Sequence, residues 1–106
     1  MPPRPHPDPA LANRGREVWN SSECDLCHGY GVDGGLGAVP DLRKATAQTH
    51  DLFTRIVLDG LYKEEGMPVY KDSISADELS ALQAYIIQQA WRAYDTQEAT
   101  RPDPHR

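Results

Sequence analysis

Two thiols and an imidazole stand close together in Cys24-Asp25-Leu26-Cys27-His28. Three chemistries use that spacing. Thiols two residues apart with histidine next can add to the two vinyl groups of a haem while the histidine ligates its iron. The same pair could be a thiol–disulfide redox couple, which calls for a strand before it and a βαβ setting. It could also be half of a zinc site, which needs four ligands. The chain has no further cysteine, and His6, His50 and His105 do not form a second ligand pair. A plain structural disulfide would leave His28 without a role. Covalent haem attachment explains all three residues.

An iron held by His28 has an opposite face to fill. Apart from Met1, the one methionine is Met67, in Glu64-Glu65-Gly66-Met67-Pro68-Val69-Tyr70. A thioether is a soft ligand that favours ferrous iron and raises the potential. Gly66 permits an unusual backbone angle and Pro68 fixes the next, so the loop can hold Met67 firmly against a ring face. The bland alternative is a core gap-filler, for which a Gly-Met-Pro loop is a poor setting. The rival ligand, His50, is expected to be an exposed polar residue at the start of a helix. An orienting acceptor for the other ring nitrogen of His28 could be the carbonyl of Pro40. Arg43 could pair with a haem propionate, since guanidinium forms bidentate contacts with carboxylates; the alternative is a solvated surface arginine.

Helices must position these groups. Asp8 and Pro9 suit an N-cap and first helical position, and Gly15, Val18 and Trp19 follow near one face. A second helix is predicted from Thr49, with Leu52, Phe53, Ile56 and Val57 at helical spacing and Gly60 as its stop. Ser75-Ala76-Asp77-Glu78 is a capping box; Leu79, Leu82, Tyr85, Ile86 and Ala90 continue the third helix. Trp19 and Tyr85 are expected to mark the contact between first and last helices. Five glycines between Gly29 and Gly37 make a loop. No segment alternates as a strand does, so the fold class is all-α.

The 106 residues suffice for one small domain. With 39% hydrophobic and 25% charged residues, it reads as a folded chain and not a disordered one. The expected organisation is a Pro-rich linker over 1–9, the domain over 10–95 and a polar tail over 96–106. A net charge of -5 without a basic cluster argues against a nucleic-acid partner, and no apolar run reaches the roughly 20 residues of a membrane span. The start lacks a signal peptide. Covalent haem is normally attached outside the cytoplasm, so the expected form is a mature exported protein or a domain cut from one, in the periplasm.

The haem motif, the later Met-Pro, and Gly15, Trp19 and Tyr85 on the terminal helices resemble class I cytochrome c. That resemblance implies helices wrapped around one covalently bound haem c, with His and Met axial ligands, and matches Pro40 to the proline whose carbonyl accepts from the proximal histidine. Cys27-His28-Gly29, Val39-Pro40-Asp41-Leu42-Arg43, Ile56-Val57-Leu58-Asp59-Gly60 and Gly66-Met67-Pro68 are similar to the C-terminal cytochrome domain of quinohaemoprotein alcohol dehydrogenases. There a propeller bearing pyrroloquinoline quinone (PQQ) oxidises the alcohol and the cytochrome domain carries electrons away. The implied donor is a PQQ domain and the implied acceptor a cytochrome, a copper protein or an oxidase; the domain by itself is not an enzyme. Tyr70 stands where Phe is frequent, a change expected to matter little. The other readings are a free-standing diffusible cytochrome and a haem sensor or peroxidase-like enzyme with an open iron site.

Overall fold

The computed structural model describes residues 1–22, 24, 28, 32 and 41–100. Helices dominate and no strand occurs among the described residues. The two long helices are α1 (Pro9–Ser21) and α4 (Ala76–Thr100); the short α2 (Ala47–Asp51) and α3 (Phe53–Val57) lie between them. Single 3-10 turns occupy Leu42–Lys44 and Lys63–Glu65.

Each start has a local cause. Asp8 holds the N-cap position of α1 in extended backbone, but its side chain makes no capping bond; Pro9 fixes the first turn instead. The capping box of α4 forms as its sequence implies. Ser75 Oγ accepts from the Glu78 amide at 3.1 Å, and Glu78 Oε1 accepts from the Ser75 amide at 3.0 Å. The second helix starts earlier than expected and is broken in two. Thr46 Oγ1 accepts from the Thr49 amide at 3.2 Å, which moves the start to Ala47. Leu52, at φ -91° and ψ 6°, then leaves helical geometry. Its amide still bonds Gln48 and its carbonyl accepts from Ile56, so α2 and α3 run on as one bent rod.

The core is the crossing of α1 and α4. Trp19 is 1% exposed, and its ring centroid lies 5.8 Å from that of Tyr85, at 59°. This is the expected contact between first and last helices. Gly15 makes the crossing possible: a Cβ there would overlap the Ala81 carbonyl and stand 2.8 Å from Tyr85 Cβ. Val18, Leu82 and Ile86 from these helices, with Phe53, Ile56 and Val57 from α3, complete the cluster.

Two termini behave differently from a plain linker and tail. Residues 1–9 lie along the outer half of α4: Trp91 Nε1 donates to the Arg4 carbonyl at 2.7 Å, and the His6 ring stacks on Trp91 with centroids 3.8 Å apart. Helix α4 also continues through 96–100, into the segment read as a tail. An indole N–H and a broad aromatic face give the prolines' backbone something to lie on.

Candidate functional site

Backbone bonds link the end of α1 to Cys24 and His28. The Ser22 amide bonds the Val18 carbonyl at 2.9 Å, Cys24 bonds Trp19 at 3.1 Å, and His28 bonds Cys24 at 2.9 Å. A backbone bond thus joins His28 directly to Cys24. The His28 ring packs beside Trp19, centroids 5.8 Å apart. Its Nδ1 is buried, and no partner for it occurs among the described residues. Burial pushes the His28 imidazole below the ordinary histidine range, which favours the neutral, metal-ligating form. Cys27 and Pro40 lie outside the described residues, so their expected roles do too.

Met67 comes from the segment between α3 and α4. The 3-10 turn Lys63–Glu65 ends at Gly66, whose φ of 96° lies in the left-handed region that suits glycine. The Met67 amide then bonds the Tyr62 carbonyl at 3.2 Å. Three residues on, Tyr70 ties the loop down twice: its amide bonds the Val57 carbonyl at 3.0 Å and its hydroxyl donates to the Ser22 carbonyl at 3.1 Å. The hydroxyl that distinguishes Tyr70 from the commoner Phe therefore has a structural task, contrary to the expectation that it matters little.

Cys24, His28 and Met67 all line one cavity of about 520 Å³, within the roughly 300–1,000 Å³ of small-molecule and cofactor sites. Its walls are chiefly apolar, with Phe53, Ile56 and Val57 on one side and Leu82 and Ile86 on another. Lys44, Thr46, Thr49 and His50 form a polar stretch of the rim. A wide apolar cavity with a buried imidazole and a thioether on its lining fits a planar haem.

Two sequence expectations change here. His50 is buried, not exposed: it retains 6% of its surface. The cause is Gln83 on α4, whose amide nitrogen lies 3.1 Å from both the Nδ1 and the carbonyl oxygen of His50. Burial, and secondarily the nearby Arg4, keep the His50 pKa below the ordinary value, against an opposing pull from Asp51. Arg43 does not line the cavity. Its guanidinium grips Asp41 through Nε at 3.0 Å and Nη2 at 2.9 Å, and this pairing depresses the Asp41 pKa. Asp41 and Lys44 are the charged groups on the cavity side. Sequence reasoning also passed over Val32, fully buried at φ 57° within the glycine-rich stretch. A single valine among glycines was the available signal.

An all-α chain that closes an apolar cavity against a histidine and a methionine is built as a haem-carrying electron-transfer domain. The chain belongs to the cytochrome c family: residues 10–86 match the family described as cytochrome C oxidase, cbb3-type, subunit III. It is similar to lupanine 17-hydroxylase [cytochrome c] of Pseudomonas sp, at 41% identity over 94% of this chain. Quinohemoprotein alcohol dehydrogenase ADH IIB of Pseudomonas putida is 31% identical over 89% of it. The chain spans 14% and 13% of those two proteins' length. A solved structure of quinohemoprotein alcohol dehydrogenase ADHIIG from Pseudomonas putida HK5 superposes with a TM-score of 0.73 at 28% identity, over 90% of this chain and 15% of that one. The protein is thus a cytochrome c electron-transfer domain of the kind found in quinohaemoprotein dehydrogenases, and the family implies haem c as its cofactor. No described helix is long and apolar enough to cross a membrane.

Proposed function

We propose that this domain carries a single haem c, joined through Cys24 and Cys27 and ligated axially by His28 and Met67, and that it works in the periplasm. It takes electrons one at a time from the reduced PQQ of a dehydrogenase and passes them to a cytochrome, a copper protein or an oxidase. The observation that carries this reading is that His28 and Met67, 39 positions apart in sequence, line the same apolar cavity. When bound, haem supplies a one-electron ferric/ferrous couple. The chain's own residues hold that couple in place. The Tyr62–Met67 backbone bond and the Tyr70–Ser22 bond keep the thioether loop against the cavity, and firm ligands on both faces keep reorganisation small.

Pro40 has the role of acceptor for His28 Nδ1, a buried atom that needs one. The similarity to a protein named quinohemoprotein alcohol dehydrogenase supports reading the donor as a quinone-bearing dehydrogenase.

The test is an optical spectrum of protein matured in an export-competent host, oxidised and reduced. A c-type reduced spectrum, with the weak red iron–sulfur(Met) band in the oxidised form, is the expected result. A c-type spectrum without that band would remove Met67 from the iron. Colourless protein after correct maturation would overturn the haem reading altogether.

A further inference from the structure

Gln83 decides which nitrogen of His50 carries the proton. The His50 carbonyl oxygen can only accept, so the Gln83 atom 3.1 Å away is its NH₂ group. That same nitrogen lies 3.1 Å from His50 Nδ1, which must then accept as well. A neutral imidazole that accepts at Nδ1 bears its hydrogen on Nε2. No group among the described residues takes a hydrogen bond from Nε2. The ring is otherwise buried, yet it lines the cavity on the rim that also carries Lys44, Thr46 and Thr49.

Apart from Asp41, His28, Tyr62, Tyr70 and this stretch, the lining is chiefly apolar, and a haem's two carboxylates cannot lie against apolar side chains without losing their solvation. They belong at the polar rim. We infer that His50, held by Gln83, is a positioning residue that donates an Nε2–H hydrogen bond to a haem propionate. The inference rests on the haem reading of the cavity. It also gives His50 a role other than iron ligation or surface solvation. The bond partly neutralises a negative charge near the iron, so it favours the ferrous state and raises the potential.

The experiment uses the matured holo-protein. Midpoint potential and optical spectrum are compared for the wild type, His50→Phe, His50→Gln and Gln83→Leu. His50→Phe removes the donor and is expected to lower the potential while the iron–sulfur band persists. His50→Gln retains an N–H and should recover part of the loss. Gln83→Leu frees the ring to change tautomer and should lower the potential by less. Nitrogen-15 NMR of the wild type, which needs no variant, should find the His50 proton on Nε2 and slow to exchange.

Potentials equal to the wild type in all three variants would overturn the inference, as would a proton on Nδ1. Loss of the low-spin spectrum in both His50 variants would make His50 an iron ligand and overturn it too. Absence of haem from the wild type is a separate result, and would fall on the proposed function itself.

Discussion

The Tyr70 hydroxyl donates to the carbonyl of Ser22 at 3.1 Å, 48 positions away, and so fastens the methionine loop to the end of α1 where the thiol motif begins. One bond thus couples the segment that carries Met67 to the segment that leads into Cys24. Tyr70→Phe keeps the ring and leaves the Ser22 carbonyl unpaired. The expected loss is about 1 kcal/mol of stability in the holo-protein. Cyanide should also displace Met67 faster. Denaturant titration and cyanide-binding kinetics read both effects, and unchanged values would make the bond incidental.

Met67→Ala should open one face of the iron. Carbon monoxide should then bind the ferrous protein and cyanide the ferric protein readily, and the midpoint potential should fall because the soft ligand is gone. Unaltered ligand binding and potential would show that another group fills that position.

Replacing both Cys24 and Cys27 by alanine removes covalent attachment. The cavity would lose its large apolar filler, leaving Phe53, Ile56, Leu82 and Ile86 to face water or collapse. The expected outcome is a chain with residual helix and no cooperative melt, followed by circular dichroism. A sharp, native-like transition without haem would show that the helices form a self-sufficient core.

Gly15→Ala tests the close crossing of α1 and α4. The added methyl meets the Ala81 carbonyl, which is backbone of α4 and cannot simply rotate away. Overpacking of this kind costs about 1–3 kcal/mol. The variant should melt correspondingly lower, while a tolerated methyl would mean that the helices can separate without penalty.

The capping box gives a pH dependence with a definite sign. The Ser75 backbone N–H, and then its side chain, hold the Glu78 carboxyl below the ordinary glutamate value. A pKa lower in the folded state stabilises above the unfolded value, about 4.3, and that contribution disappears as the pH drops through the lower folded value. Melting temperatures should therefore fall on acidification through this range. Glu78→Gln should remove that component, leaving a shallower slope; an identical slope would show that the box does not contribute.

Local features were legible in the sequence because their physics is local. The Ser75–Glu78 box and the Gly66-Met67-Pro68 turn each depend on residues within a few positions of one another. Hydrophobic spacing likewise revealed the three helical regions and the pairing of Trp19 with Tyr85. It missed the break at Leu52, because apolar periodicity runs unbroken through a bend that keeps its bonds to Gln48 and from Ile56.

By itself the sequence determined an all-α cytochrome c domain, and which residues are chemically equipped to take haem. Tertiary structure alone decided what their neighbours do. It buried His50 under Gln83, 33 positions away, where position at a helix start had suggested exposure. It gave the Tyr70 hydroxyl its acceptor at Ser22 and laid Arg4 against Trp91, 87 positions distant. A polar side chain's partner is chosen by which surfaces the packed helices bring together. That choice follows from the crossing at Gly15 and the cavity beside it, and no short window of sequence contains either.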